Sequence, residues 1–262
     1  MTTYTHGHHE TVLRSHRWRT VSNSAAYLLP FLGPEQRLLD VGCGPATITV
    51  EFADLVAHVT GVEATDGAVA IARERLAGVA NADVVRGDVH ALDMPDDTFD
   101  VVHAHQVLQH VADPVHALRE MARVCKPGGL VAVRDSDYLG FTWFPACAGL
   151  DLWMDRYQKA AAANGGEPQA GRRLLSWALE AGLTDVVPSS STWCFGTAED
   201  RAYWGGMWAE RVQQSALADQ LLTSGLATQD DLDLMTAGWR TFVNRENAWF
   251  SVLHGELIVR IH

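Results

Sequence analysis

The chain has almost no lysine: Lys126 and Lys159 are two of its 20 basic residues. Its 32 acidic residues leave a formal net charge of −12. A surface of that sign repels phosphate backbones, which excludes nucleic acid as a main partner. Long apolar runs are missing too. No 18 consecutive apolar residues occur, so no membrane-spanning helix is expected. The start, Met1 to Glu10, is polar and His-rich and lacks the apolar centre of a secretory signal. Cysteine is sparse. Cys43, Cys125, Cys147 and Cys194 form no CxxC pair and stand at long, irregular gaps, which excludes a disulfide framework or a zinc knuckle. Reduced thiols and a cytoplasmic location are expected. The 262 residues, 47% of them hydrophobic, can bury a core that needs neither disulfide nor metal.

The first half alternates short apolar runs with helical patterns. Strands are expected over 37–41, 59–62, 83–86, 99–104 and 130–134. Helices are expected over 45–57, 65–79 (with Thr65 as N-cap) and 114–125, where Pro114 opens the first turn. Lys126-Pro127-Gly128-Gly129 reads as a stop. Strands separated by helices of about a dozen residues imply right-handed parallel crossovers, hence an α/β, doubly wound sheet. Eight of the nine tryptophans lie after residue 142. There, helices are expected over 149–163 and 171–181, a strand over 186–195, a long helical segment over 198–245 and a final strand over 248–261. Thr228 with Asp231 reads as a capping box that divides the long segment. The expected organisation is an N-terminal helical cap segment (1–34), a core (35–197), a helical insertion at the ligand edge (198–246) and a last core strand (247–262).

In such sheets ligands sit beyond the carboxyl ends of the strands. After the first strand stands Asp40-Val41-Gly42-Cys43-Gly44-Pro45-Ala46-Thr47. Gly42 permits a turn and Gly44 lets a ligand approach the backbone. A dinucleotide fingerprint wants a third glycine where Thr47 stands, and a diphosphate would be repelled by Asp40. Asp40 either ties the loop or favours a ligand that brings an ammonium group. Glu63 stands 23 residues after Asp40, close to the spacing of about 20 for an acid that grips ribose hydroxyls. Asp88 and Val89, after Gly87, suit an adenine amino group and ring face, or a simple turn.

The strings LLDVGCGPAT, VEAT, GDVHALDMPDDTFDVV and VLQHVADPVHALREMARVCKPGG together resemble the class I S-adenosylmethionine-dependent methyltransferases. Within that class they are similar to the ubiquinone and menaquinone biosynthesis group, methyltransferase type 11. The resemblance implies a seven-stranded, mostly parallel Rossmann-like sheet with a helical cap. It implies S-adenosyl-L-methionine as cofactor and S-adenosyl-L-homocysteine as product. Gly42 and Gly44, with Cys43 between them, would line the methionine part and Asp40 would help hold its amino group. Glu63, with Ala64 beside it, would hold the ribose. Gly87, Asp88 and Val89 would flank the adenine, and His105 with Gln106 would border the methionine moiety. One departure is Ala46, where many members carry glycine; a methyl there is expected to be tolerated in a helix's first turn.

Methyl transfer from a sulfonium is an in-line displacement that gains most from alignment and a dry pocket. A general base is needed only where the acceptor must lose a proton. Candidates at strand ends are His110, Asp135 and Tyr138, each open to a purely structural reading. His103 and His105 share one strand face and stay open in the same way. The expected partner is a small, partly apolar methyl acceptor, walled by some of the late aromatics; a homodimer stays open. Tyr4, His6, His8, His9 and His16 complete no ligand set, so no metal site is expected. The stretch 14–20, by resemblance, would lie over the cofactor. The alternatives are a nicotinamide-dependent oxidoreductase, which Asp40 and the missing glycine oppose, and a relative that binds S-adenosylmethionine without methylating. His254-Gly255-Glu256 interrupts the last strand pattern without a functional reading.

Overall fold

The computed structural model describes residues 18–262. Helix α1 (Val21–Ser24) is one turn, capped reciprocally by Thr20 and Asn23. Strand β1 (Arg37–Val41) leads to α2 (Thr47–Phe52), and β2 (His58–Glu63) to α3 (Asp66–Leu76). Thr65 caps α3 by accepting the Ala68 N–H. After β3 (Ala82–Arg86) and β4 (Phe99–His105) comes α4 (Pro114–Val124), which opens on Pro114 and is capped by Asp113. Strand β5 (Cys125–Ser136) and the short β6 (Thr142–Phe144) follow. Helices α5 (Ala148–Ala163) and α6 (Ala170–Glu180) precede β7 (Val186–Phe195). Helices α7 (Ala198–Gln214), α8 (Ala216–Thr223) and α9 (Gln229–Asn244) lead to β8 (Trp249–Arg260).

Eight strands form the sheet, one more than the seven expected, in the order β3-β2-β1-β4-β5-β8-β6 with β7 paired to β8. The first five are parallel; β8 runs antiparallel to β5 and β6. The run Lys126–Gly129, expected to break the chain, is absorbed instead as a bulge in β5. The register slips between Phe99↔Cys125 and Val101↔Leu130, and Gly128 and Gly129 bond the backbone of Ile261. The expected helix over 45–57 is shorter because Ala46 adopts left-handed backbone, φ 57° and ψ 31°, and α2 starts only after it. Ala46 is therefore the N-cap and not part of the first turn, and its methyl carries the cost of about 1–2 kcal/mol that glycine would avoid.

Contacts group the chain into two compact units. One, the sheet unit, holds residues 18–136, 170–191 and 254–262. Successive residues of its strands face opposite layers, as the two-residue period requires. Leu39, Val41, Val102, Val131 and Val133 pack with Leu118, Met121, Leu174 and Trp177. Leu38, Val59, Val101 and Ala132 pack with Leu28, Ile48 and Phe52. Both faces are covered, so the strands read as continuous apolar runs. Gly255 has no room for a side chain: a Cβ there would lie 2.0 Å from the carbonyl oxygen of Gly171. This is the physical reason for the interrupted pattern in β8.

The other, the helical unit, holds 137–169 and 192–253; the segment 198–246 expected as an insertion groups here with residues 137–169. Capping boxes at Thr197/Asp200 and Thr228/Asp231 start α7 and α9, and Ser215 ends α7 and caps α8. Gly149 and Gly238 let α5 and α9 cross at close range; a Cβ on Gly149 would meet the Leu234 carbonyl at 2.5 Å. Trp153, Trp208 and Trp239 are almost fully buried. Trp153 meets the other two edge-on at 4.7 and 4.9 Å between ring centres. These rings are core.

Candidate active site

The carboxyl ends of β1, β2, β4 and β5 in the sheet unit carry several hydrogen-bonded sets of polar side chains. Three residues in five, Gly42, Gly44 and Ala46, take left-handed backbone. A Cβ on Gly42 would lie 2.5 Å from Val107 Cγ2, so this position needs glycine for space as well as for conformation. The loop is anchored on β2, where the Val62 carbonyl accepts the N–H groups of Gly42 and Cys43. Cys43 is buried, and burial pushes its thiol well up. Glu63 closes the loop from the other side. Its Oε1 accepts the Gly44 N–H and its Oε2 the Ala64 N–H, each at 2.9 Å. Glu63 is half-buried and Ala64 exposed.

Asp40 sits beneath this loop, buried. One oxygen lies 2.8 Å from His103 Nδ1 and the other accepts the Thr49 hydroxyl at 2.6 Å. Its carboxylate joins β1, β4 and α2. Both Asp40 oxygens are engaged inside the protein, one with His103 and the other with Thr49, which ties the loop to β4 and α2.

Gly87 follows β3. Asp88, its side chain 68% exposed, holds the backbone N–H and ring Nδ1 of His90. The His90 N–H keeps the Asp88 carboxyl below its ordinary value, against the effect of its partial burial. Val89 belongs to the core cluster.

At the end of β4, Gln106 is a left-handed non-glycine residue, φ 55°. Such strain persists only where the surroundings enforce it, and here they do. The Gln106 N–H donates to the Arg134 carbonyl at 2.7 Å. Its side-chain Oε1 accepts from Arg19 at 2.6 Å. Its Nε2 donates to Ser136 Oγ at 2.8 Å and lies 2.9 Å from His254 Nε2. His105 is buried, its ring 6.1 Å from that of His254. Burial and then the Arg19 charge hold the His105 ring well below its usual range.

Asp135 at the end of β5 is fully buried. One oxygen accepts the Gln109 N–H at 3.1 Å; the other has no partner among the described residues. Burial pushes this carboxyl up to about 7, against the pull of the Gln109 and Leu108 N–H groups. His110 lies 3.0 Å from Gln109 Nε2, and burial with the Arg19 charge brings it down to about 4. His110 and Asp135 thus meet around one loop, residues 106–111. Tyr138 lies in the helical unit, stacked on Tyr157 at 4.2 Å and on Phe141 at 4.4 Å. Its ring is buried there among other aromatic side chains. Tyr4, His6, His8, His9 and His16 and most of the 14–20 stretch lie outside the described residues; Arg19 lies inside them, on Gln106.

This geometry discriminates between nucleotide ligands. The Gly44 N–H, which a dinucleotide diphosphate would need, is taken by the Glu63 carboxylate, which would also repel that diphosphate. A ligand with a vicinal diol and a positive centre suits the same loop, since carboxylates accept from hydroxyls and attract cations. Residues 39–133 match the methyltransferase domain family. An uncharacterised methyltransferase of Schizosaccharomyces pombe is 33% identical over 98% of this chain and 96% of its own length. The chain belongs to the methyltransferase family. A demethylmenaquinone methyltransferase of Clavibacter sepedonicus is 34% identical over 44% of this chain and 46% of its own. The fold is also that of phosphoethanolamine N-methyltransferase 2 of Haemonchus contortus, solved with phosphomonomethylethanolamine and S-adenosylhomocysteine, at 18% identity and a TM-score of 0.59 over 92% of this chain and 53% of that one. The cofactor of this methyltransferase is S-adenosyl-L-methionine, and S-adenosyl-L-homocysteine is its product. Among the described residues no helix is long and apolar enough to cross a membrane.

Sequence reasoning missed Ser136 and His254 as partners of Gln106. The signal was there in His254-Gly255-Glu256, a polar triplet inside an apolar strand pattern. It also missed that Arg134, buried, pairs with Glu256 at 3.1 Å, because β5 and β8 pair antiparallel with Arg134 opposite Glu256 and no local pattern announces that pairing.

Proposed function

We propose that this methyltransferase moves the methyl group of S-adenosylmethionine to a small, partly apolar organic acceptor by in-line displacement. Glu63, with Ala64 beside it, grips the ribose hydroxyls, and Gly42, Cys43 and Gly44 border the methionine part. Gly87, Asp88 and Val89 flank the adenine, Asp88 meeting its amino group from an exposed position. His105 and Gln106 border the methionine part from β4. Asp40 acts one step removed, holding the glycine loop to β4 through His103. The observation that carries the reading is Glu63 bonded to the Gly44 N–H, which leaves a carboxylate and no anion hole at the rim. The bound cofactor supplies an electrophilic methyl on a sulfonium. The protein's share is alignment and exclusion of water. His105 and His110 are neutral at pH 7, so neither adds positive charge to a site that must hold a cation. Asp135 fixes the loop 106–111 through its backbone N–H groups, a positioning role. Four free cysteines support a reducing, cytoplasmic setting.

Calorimetry tests the reading. S-adenosylmethionine and S-adenosylhomocysteine should both bind, and NAD should not. Absence of binding by either of the first two would overturn it.

A further inference from the structure

The helical unit holds a buried cation that the chemistry of the sheet edge does not use. Arg201, in the first turn of α7, is 6% exposed. Its Nη1 donates to the Gly196 carbonyl. Its Nε is buried without a partner, Nη2 makes no hydrogen bond, and no carboxylate of the described residues pairs with it. The adjacent Asp200 carboxylate is engaged by Thr197. A guanidinium edge buried without a counter-charge is costly and calls for an anionic partner. The unused edge, Nε with Nη2, is the parallel pair of donors that matches the two oxygens of a carboxylate.

The same helix face supplies rings. Positions 201, 204, 208 and 211 fall within about 80° of one another at 100° per residue. Trp204, three residues on, is 6% exposed, and its indole N–H is a second buried donor without a partner. Its ring stacks on Phe195 at 4.3 Å and 8°. Farther along, Arg211 is packed over the Trp208 ring at 4.6 Å. What sets this pair apart from the other orphan donors of the unit is that a cationic one and a neutral one stand three residues apart on one helix face beside stacked aromatic planes, where buried polar groups call for partners.

We propose that Arg201 and Trp204 form the recognition end of a binding site for a planar aromatic carboxylate. The Nε/Nη2 edge of Arg201 holds the two carboxylate oxygens, the Trp204 indole donates to a further oxygen, and the ring lies beside the Phe195–Trp204 stack. That this ligand is the class of methyl acceptor rests on the methyl-transfer reading; the site itself does not.

The test uses the full chain. 4-Hydroxybenzoate and its neutral isostere 4-hydroxybenzamide are titrated calorimetrically, each with and without S-adenosylhomocysteine. The acid should bind at least 10-fold more tightly than the amide. R201Q should bring the acid down to the affinity of the amide, R201K should restore part of the difference, and W204F should lose a few-fold. S-adenosylhomocysteine affinity should be unchanged in all three. Equal binding of acid and amide by the unaltered chain overturns the site, and so does an R201Q variant that still binds the acid fully. Should R201Q fail to fold, the acid–amide comparison on the unaltered chain decides alone. Binding of S-adenosylhomocysteine without any binding of the acid defeats this proposal and leaves methyl transfer standing; the reverse pattern defeats the cofactor reading and leaves the site.

Discussion

In the sheet unit, buried polar side chains gather at strand ends and are knotted together. Asp40, His103 and Thr49 form one set and Gln106, Ser136, His254 and Arg19 another. Left-handed residues cluster in the same places. In the helical unit the interior is ring upon ring, and among the described residues the N–H groups of Trp153, Trp204 and Trp239 find no acceptors. The first unit holds its shape at the site by hydrogen bonds that fix angles. The second holds its shape by buried area, which is large but weakly directional. Strain and unmet polarity therefore mean different things in the two. At the strand ends they accompany the candidate site; in the aromatic core Trp153 and Trp239 carry unmet donors within plain ring packing.

The comparison can be broken most forcefully in the aromatic core. Trp153→Ala should lower stability by about 3–5 kcal/mol, the cost of removing a large buried ring. Chemical denaturation measures this, and a loss below about 1 kcal/mol would show that the rings are not the core of their unit. Calorimetry on the folded protein should find cofactor affinity unchanged.

Asp135 gives the next effect, and it depends on pH. Its carboxyl titrates near 7 when folded, above its ordinary value. Ionising it in place therefore costs stability. The cost is absent below about pH 4, grows as pH rises toward 7, and is complete above it, at most about 4 kcal/mol. Asp135→Asn keeps an acceptor for the Gln109 N–H and cannot ionise. Denaturation midpoints should be higher for the variant at pH 8, and the two proteins should converge near pH 4. Parallel curves across that range would sink the assignment.

Glu63→Gln reads function with little change in stability. It removes charge-assisted bonds of about 1.5–3 kcal/mol to bound hydroxyls, so S-adenosylhomocysteine affinity should fall about 10- to 100-fold. An unchanged dissociation constant would refute the ribose role. The smallest effect runs the other way. Ala46→Gly should raise stability by about 1 kcal/mol, because it relieves a left-handed alanine; a measured loss would mean that the methyl is needed for packing.

How much of this could be read beforehand follows from the range of each interaction. The first four strands of the sheet unit and the caps at Thr65 and Thr228 obey local rules, and they stand in the structure within a residue or two of expectation, whereas β5 starts five residues before its expected first residue. The glycine loop and Glu63 were readable because their spacing is imposed by one βαβ turn. The break at Ser215 was not, since Ser215 stops α7 by bonding back to the Arg211 carbonyl, a choice no periodicity shows. Nor was the role of Asp40, which depends on His103, 63 residues away in the chain. The ring partners of Tyr138 were not readable for the same reason. Its place after β5 suggested the site, whereas its stacking on Tyr157 belongs to a helix that starts ten residues later.

One consequence lies in the way the chain is threaded. Residues 254–260, which flank β5, are joined to the earlier strands only after two excursions through 137–169 and 192–253. On the ribosome the parallel strands emerge well before their antiparallel neighbour, and the edge of β5 waits unpaired while more than a hundred residues are made. An edge left open that long can pair with the wrong strand. Folding of the catalytic layer is thus bound to the completion of a segment far downstream, and slow closure is expected of so non-local a pairing.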